Sequence, residues 1–363
     1  TGTNGKTTIT YLLEAILGEA GLSPAVIGTI NYRFGKDLRQ APHTTPEALD
    51  LMKQVSDFWR NGARSLVMEV SSHALEQHRA DGVCFQVGVF TNLTPEHLDY
   101  HLDMESYFAS KSHLFQELLP RDKGRAVINI DDVYGRRLAA MLPSALTCGH
   151  HEDADIHPES IEISLTGIRG SVSTPLGAVA VDSPLLGDFN VDNLLCAIGA
   201  AVALNLSPRV ITAGISAAKG VPGRLEQVEN DRGAVILVDY AHTGDALRRV
   251  LEALEKLSPQ RILTLFGCGG DRDRSKRPIM AEVAARGSDI AIATSDNPRT
   301  ENPQQILDDV RVGLARVHER EWSRADAMVD TGRGYVVIED RRKALEFAVS
   351  LLRRGDLLLV AGK

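Results

Sequence analysis

The first residues of the chain are of the types that hold a polyphosphate. Thr1-Gly2-Thr3-Asn4-Gly5-Lys6-Thr7-Thr8 runs directly into an apolar segment with helical spacing. Glycines permit the tight turn in which successive backbone N–H groups face one anion, and a helix start adds positive partial charge. Lys6 brings a full charge for the outer phosphates, and Thr7 a hydroxyl for Mg²⁺. Gly2, Thr3, Asn4, Gly5, Lys6, Thr7 and Thr8 are therefore candidate nucleotide-binding residues. The general pattern asks for one more glycine upstream, and the plain alternative is a helix capped by threonine and glycine. A second group follows an apolar run: Glu69-Val70-Ser71-Ser72-His73. A carboxylate at the end of a parallel strand can hold a hard cation that seeks oxygen. After the next apolar run comes Asn92-Leu93-Thr94-Pro95-Glu96-His97-Leu98-Asp99-Tyr100-His101, with two histidines and several oxygen donors in one loop. Taken singly, a loop histidine is more often a solvated or capping residue.

The elements that must position these groups alternate. Helical spacing covers 7–21, 46–60, 105–119, 190–204, 245–257 and 303–314, and short apolar runs occupy 65–70, 87–90, 125–130, 235–238, 261–266 and 289–293. Strands alternating with helices predict an α/β fold with a mostly parallel sheet covered on both faces. Glycines punctuating β-branched alternation over 161–181 predict an antiparallel ribbon inserted in the first unit. The cluster Lys219-Gly220-Val221-Pro222-Gly223 marks a boundary, giving domains at 1–222 and 223–363. A phosphate loop with no strand before it, and a buried-strand pattern running to Lys363, read as a fragment truncated at each end.

Composition bounds the function. The 363 residues are 43% hydrophobic and 24% charged, an ordinary balance for a soluble globular protein. No apolar run is long enough for membrane insertion. The net charge of −8 argues against nucleic acid as a partner. Cys84, Cys148, Cys196 and Cys268 have no paired spacing, so neither a disulfide framework nor a zinc site is expected, and a cytoplasmic setting fits.

The phosphate-loop string, Glu-Val-Ser-Ser-His and Asn-Leu-Thr-Pro-Glu-His-Leu-Asp-Tyr-His together resemble the Mur ligases, which build the peptide stem of peptidoglycan. The resemblance runs through essentially the whole chain. It implies a phosphate-loop parallel-sheet ATP-binding domain plus a Rossmann-like C-terminal domain. Tyr107-Phe108-Ala109-Ser110-Lys111 is similar to the family segment whose lysine is carbamylated, and a carbamate would turn a repelled ammonium into an anionic oxygen ligand. By itself Lys111 reads equally well as an exposed helix lysine. The resemblance implies Thr7, Glu69, His97 and carbamylated Lys111 as magnesium ligands, and Lys6, Lys111, Glu69, His97 and Arg224 as catalytic residues. Asn190 and Asn193, within Gly187-Asp188-Phe189-Asn190-Val191-Asp192-Asn193, would lie near the nucleotide. Arg224, in Pro-Gly-Arg-Leu-Glu, would reach the γ-phosphate, and Asp239 and His242, in Val-Asp-Tyr-Ala-His, would hold the ribose. Thr243-Gly244-Asp245 departs from the usual Thr-Pro-Asp.

Asp296-Asn297-Pro298-Arg299 resembles the diaminopimelate-adding branch of the family. A guanidinium there can grip a distal carboxylate that lysine lacks; in isolation the same residues read as a helix-entry turn with a surface arginine. Arg272 and Gly362 match further contacts to that amino acid, although the His-Glu expected beyond Lys363 is absent. His43, Thr44, Thr45, Ser71, Gln77 and Arg79 match contacts to the UDP-linked peptide, His43 standing where asparagine is common. The resemblance thus implies a monomeric, ATP-dependent amide ligase that joins meso-diaminopimelate to UDP-N-acetylmuramoyl-L-alanyl-D-glutamate through an acyl phosphate, a step serving cell shape and division. The rival readings are another amide ligase on this scaffold (lysine-adding, folylpolyglutamate or cyanophycin-forming) and a nucleotide-binding module without chemistry. Asp-Asn-Pro-Arg and Tyr-Ala-His speak against the first; the second would be favoured if ADP release required no acceptor amine and no acyl phosphate formed.

Overall fold

Gly5 turns the chain into its first helix. Its φ of 87° is open to a residue without Cβ, and α1 (Lys6–Glu19) begins at the next position. Leu12, Leu13, Ile16 and Leu17 recur at helical spacing on the buried side. The structure, a computed structural model, describes residues 1–120, 122–329 and 332–362. It divides into two units, Thr1–Gly220 and Val221–Lys363.

In the first unit α1 is followed by β1 (Pro24–Ile27), β2 (Asn31–Phe34), β3 (Asp37–Gln40), α2 (Ala48–Arg60), β4 (Ser65–Met68) and α3 (Ser72–Glu76). Next come β5 (Val87–Phe90), α4 (Leu98–His101) and α5 (Met104–His113), which continues as a π-helical turn over Leu114–Leu118. Then follow β6 (Arg125–Asn129), α6 (Val133–Met141), β7 (Leu146–Cys148), β8 (His157–Ser164), β9 (Gly167–Ser173), β10 (Val179–Ser183), α7 (Phe189–Ala203) and α8 (Pro208–Ala217). The parallel pairing lies in two sheets rather than one. One has the order β3-β2-β1-β4 with only β1 and β4 parallel; the other is the all-parallel β5-β6-β7. The ribbon is an antiparallel sheet, β10-β9-β8, whose register runs from Val179↔Val172 to Ser183↔Ile168 at one pair.

The core of this unit forms where α1 and α7 meet the strands. Leu12, Ile16, Leu194, Leu195 and Ile198 are almost wholly buried there, each contributing about 1.5–3 kcal/mol of burial free energy. The helix is apolar nearly all round, as a helix covered on both sides must be.

The second unit has a single sheet among its described residues. Its strands are β11 (Glu226–Val228), β12 (Val235–Asp239), β13 (Ile262–Cys268), β14 (Ile290–Ser295), β15 (Gly334–Val337) and β16 (Leu357–Ala361). They lie in the order β11-β12-β16-β13-β14-β15, with only the edge strand β11 antiparallel. Helices α9 (Gly244–Glu255), α10 (Lys276–Arg286), α11 (Pro303–Leu314), α12 (Arg324–Val329) and α13 (Arg341–Leu351) make the crossovers. Every residue of β13 and β16 is buried, as expected for central strands covered on both faces. Parallel pairing brings Asp239, Ser295 and Ala361 to one edge of the sheet, the edge where such folds bind ligands.

Candidate active site

The phosphate loop is fastened to the end of β5. Thr3 donates its N–H to the Asn92 carbonyl at 2.9 Å, and Asn4 donates its N–H to Asn92 Oδ1 at 2.9 Å. The two loop glycines sit against side chains. A Cβ on Gly2 would lie 1.9 Å from Thr91 Oγ1, and one on Gly5 would lie 2.1 Å from Asn193 Oδ1. Asn193 in turn donates to Asn190 Oδ1 at 2.8 Å, and Asn190 donates to the Leu186 carbonyl at 2.7 Å. The asparagine pair on α7 therefore shapes the underside of the loop. Lys6 Nζ donates to the carbonyls of Gly2 and Thr3 at 2.8 and 2.7 Å. Thr8 is buried in the first turn of α1.

Glu69 stands just beyond the end of β4 and is 2% exposed. Its Oε2 accepts from the Thr7 hydroxyl at 3.0 Å, so two of the expected magnesium ligands meet. Sequence reasoning missed Thr29, which donates both its N–H and its hydroxyl to this carboxylate at 2.8 and 3.0 Å. It also missed Gly28, where a Cβ would fall 2.5 Å from Glu69 Oε1. A Gly-Thr pair one residue past a short strand is the signal that could have found them.

Lys111 is a buried residue rather than a surface lysine. It is 1% exposed, donates to the Gly2 carbonyl at 3.1 Å, and lies 4.5 Å from the centre of the Tyr107 ring. Burial holds its pKa well below the usual lysine value, and the nearby Lys6 ammonium pushes the same way against Glu96. Lys6 and Lys111 thus converge on one carbonyl. Tyr107, another residue missed from sequence, pairs its hydroxyl with Thr3 Oγ1 at 3.3 Å. His97 is on the rim, about half exposed, with its ring 5.0 Å from that of His73 and 6.3 Å from that of Tyr107. His101 is a core histidine: it contacts Ser72 Oγ at 2.9 Å, and burial, then His73, lowers its pKa.

The expected peptide contacts gather beside Glu69. Thr45 Oγ1 donates to the Glu69 carbonyl at 2.9 Å and accepts from the Ser71 N–H at 3.1 Å. Thr44 reaches Thr29, hydroxyl to hydroxyl, at 3.1 Å. Arg79 donates to Gln77 and pairs with Glu47 at 3.1 Å. His43 is exposed, its carbonyl held by the Tyr32 hydroxyl at 2.5 Å.

In the second unit Asp239 is 6% exposed and accepts from the N–H groups of Leu225 and Ala241, both at 2.8 Å. Desolvation raises its pKa, opposed by those two hydrogen bonds and by Arg224. Arg224 lies over the Tyr240 ring at 5.4 Å, and the His242 and Tyr240 rings meet edge-on at 4.9 Å. Gly362 donates its N–H to the Asp239 carbonyl at 3.0 Å.

The loops after β13 and β14 form a second group. Arg299, at φ 50°, donates to the Gly270 carbonyl, and Gly270 donates its N–H to the Asn297 carbonyl at 2.9 Å. A Cβ on Gly269 would lie 3.1 Å from Arg299 and 4.0 Å from Arg272, so the two expected arginines flank one residue. Pro298 and Asp296 belong to the same turn, and Asp296 lines a pocket with Ser295, Asn297, Glu339, Asp340 and Arg341. Behind it Arg277, 2% exposed, pairs with Glu301 at 2.6 Å and Asp309 at 2.9 Å. Glu301 also accepts from the Asp271 N–H at 2.5 Å, tying both loops to α10. Sequence reasoning missed this arginine.

Residues 1–201 match the family model for the Mur ligase middle domain, and residues 223–363 match that for the Mur ligase, glutamate ligase domain. The chain is 51% identical over 369 residues to UDP-N-acetylmuramoyl-L-alanyl-D-glutamate–2,6-diaminopimelate ligase of Geobacter metallireducens, covering 100% of this chain and 72% of that protein. It is 46% identical over 364 residues to the protein of the same name from Gloeobacter violaceus, covering 100% and 71%. A solved structure of a ligase of that name superposes with a TM-score of 0.74 at 36% identity, over 100% of this chain and 72% of the other. Folylpolyglutamate synthase of Mycobacterium tuberculosis (TM-score 0.69, 17% identity, 100% and 87% covered) shares the fold alone. A phosphate loop backed by a buried carboxylate and a buried lysine, on a chain matched in both halves, leads to one assignment: the chain belongs to the Mur ligase family.

Proposed function

We propose that this chain joins meso-diaminopimelate to UDP-N-acetylmuramoyl-L-alanyl-D-glutamate at the expense of ATP, in peptidoglycan synthesis. The names of its relatives at 51% and 46% identity support the substrates. The observation that carries the chemistry is the contact of Thr7 with the buried Glu69 beside a phosphate loop whose Gly2 carbonyl both Lys6 and Lys111 reach. The proposed nucleotide-binding domain is 1–222, followed by a C-terminal domain at 223–363.

The donor set suits magnesium in part as it stands. Thr7 Oγ1 and Glu69 Oε2 are oxygens 3.0 Å apart, which suits a hard cation. An ammonium cannot ligate a cation, so Lys111 fits only as its carbamate. Burial favours that change, because the neutral amine is the form that adds CO₂, releasing a proton as the C–N bond forms. With His97 these residues form the proposed ligand set, and Mg²⁺ bound there would neutralise charge on the transferring phosphoryl group. The substrate's D-glutamate side-chain carboxylate attacks the γ-phosphorus, its new O–P bond replacing the bond to ADP. The diaminopimelate amine then attacks the acyl carbonyl, loses a proton, and phosphate departs. No protein nucleophile takes part; Lys6 and the loop N–H groups orient and neutralise phosphate oxygens. Asn190 and Asn193 support that loop, while Arg224, Asp239 and His242 are the nucleotide-binding residues proposed in the second unit. His43, Thr44, Thr45, Ser71, Gln77 and Arg79 are assigned to the peptide. Arg272, Asp296, Asn297, Pro298, Arg299 and Gly362 are assigned to the amino acid, whose distal carboxylate Arg299 would select. A monomer acting in the cytoplasm completes the proposal; among the described residues no helix is long and apolar enough to cross a membrane.

The deciding assay offers the natural enzyme diaminopimelate, lysine and glutamate in competition with ATP and the UDP-linked dipeptide. Diaminopimelate should be the amino acid incorporated. Equal use of lysine would overturn the assignment of Arg299.

A further inference from the structure

Three side chains of metal-ligating type, none given a role above, converge beside the segments that carry Gln77, Arg79 and Lys111. His78 follows α3 in a turn, Asp81 lies three residues on, and His113 ends α5. His78 Nδ1 is 2.8 Å from Asp81 Oδ2, and His113 Nε2 is 3.3 Å from Asp81 Oδ1. One ligand atom from each lies within 4.8 Å of the other two. The imidazole rings stand 5.3 Å apart at 89°, so they do not stack but present their nitrogens to one carboxylate from different sides. His78 is held at φ 56°, a backbone state uncommon for a residue with a Cβ.

We propose that His78, Asp81 and His113 form a binding site for a borderline divalent ion of the zinc class, separate from the proposed magnesium ligands. The donor set decides the class. Two imidazole nitrogens and one carboxylate oxygen suit zinc, whereas magnesium prefers oxygen alone and keeps its waters. Zinc bonds of about 2.0–2.1 Å place tetrahedral ligand atoms about 3.3 Å from one another. His113 Nε2 stands at that spacing from Asp81 Oδ1, while His78 Nδ1 faces the other oxygen, Oδ2, at 2.8 Å, so an ion would be held by a turn of the carboxylate or by both of its oxygens. Side-chain exposures of 66% for His78 and 42% for Asp81 leave a fourth position open to water and an entry path from solvent. The consequence is mechanical. The ion would clip the turn that carries Gln77 and Arg79 to the last turn of the helix that carries Lys111, adding to the apolar packing of Ala80 and Leu114 in one buried cluster.

Without metal, the same geometry is a carboxylate accepting hydrogen bonds from two rings, so the test must separate ion binding from that. The natural protein, its magnesium site filled with excess Mg²⁺ and ADP, is dialysed against Zn²⁺, and bound zinc is counted beside His78→Ala, His113→Ala and the double variant. Losing a mere hydrogen-bond partner of a ligand costs about 10–100-fold in metal affinity, so losing a ligand should cost at least about tenfold. One zinc per chain should be lost in each variant, and zinc should raise the melting temperature of the wild type only. Co²⁺ as a probe should give the intense visible bands of a four-coordinate ion, absent from the double variant. If wild type and double variant bind equal zinc, or cobalt stays six-coordinate, the site does not exist. Asp81→Asn keeps a hydrogen-bonding group and serves as the folding control: it should remain folded yet lose zinc, and zinc retained there would also count against the site. None of these measurements uses ligase activity, so their outcome is independent of the function proposed above.

Discussion

Gly5→Ala should damage both stability and nucleotide binding, by an amount that can be worked from the loop. Gly5 sits at φ 87°, and an L-residue held in the left-handed region costs about 1–2 kcal/mol. Its new Cβ would lie 2.1 Å from Asn193 Oδ1, far inside contact distance, so Asn193 must move. That breaks its 2.8 Å hydrogen bond to Asn190, and both asparagines are buried, at 6% and 3% exposure. A buried polar group left without a partner costs about 1–3 kcal/mol. Together the substitution should destabilise the first unit by about 3 kcal/mol, or about 6–12 °C for a domain of this size. Urea unfolding followed by circular dichroism measures the loss, with exchange of the Ile9 amide, which donates to the Gly5 carbonyl at 3.0 Å, as the local reporter. Asn193→Ala in the same chain removes the obstructing oxygen. The double variant should therefore be more stable than the summed single effects by at least about 1 kcal/mol, while ATP affinity remains weak in both. Strict additivity, or a loss below about 1 kcal/mol in Gly5→Ala, would refute the packing account of this glycine.

Lys111→Ala should cut turnover by at least about 10²-fold, the scale of one preorganised electrostatic group, with partial rescue by a short carboxylic acid that supplies the missing anion; normal turnover would remove Lys111 from the ligand set. Arg299→Lys should lower kcat/KM for diaminopimelate by about tenfold or more while leaving lysine unaffected, because an ammonium cannot form the forked pair of hydrogen bonds; steady-state kinetics with both amino acids measure this, and an equal loss for both would refute it. Arg277→Met should lower the urea midpoint of the second unit, read by the buried Trp322, and raise KM for the amino acid with KM for ATP unchanged, since it frees both arginine-bearing loops. His150 has a pKa raised above 6.5 by its hydrogen bond to Asp192, so it adds stability below that value and loses it as pH rises through the raised one. A melting profile between about pH 5 and about pH 8 should therefore be flatter for His150→Gln than for the wild type.

The parts of this molecule that were legible in its sequence are those whose signal is local. The turn at Gly5, the spacing of Leu12, Leu13, Ile16 and Leu17, and the apolar runs of β13 and β14 each announce themselves within a few residues. The hairpin of β2 and β3 does not. Three of the four β3 residues are exposed, no alternation marks the strand, and its neighbour is held by Arg33, which pairs with Glu14 at 2.5 Å and stacks on Tyr11 at 3.8 Å. Helix α10 is hidden for a related reason: Arg277 lies on its buried side, and a hydrophobic period treats arginine as solvent-facing. Lys111 is the sharpest case. Desolvating an ammonium is costly, so a lysine in a helix is placed outward by default. What reverses that default is a carbonyl 109 positions earlier in the chain, together with Tyr107 beneath it, and no spacing rule connects Gly2 to Lys111. The burial that sequence reasoning could not foresee also suits the residue to its proposed role, because an amine kept in water would stay protonated and inert towards CO₂. For Lys111, a burial that helical spacing does not announce and fitness for chemistry have the same origin: a charged group pulled inside by partners that only the fold brings near.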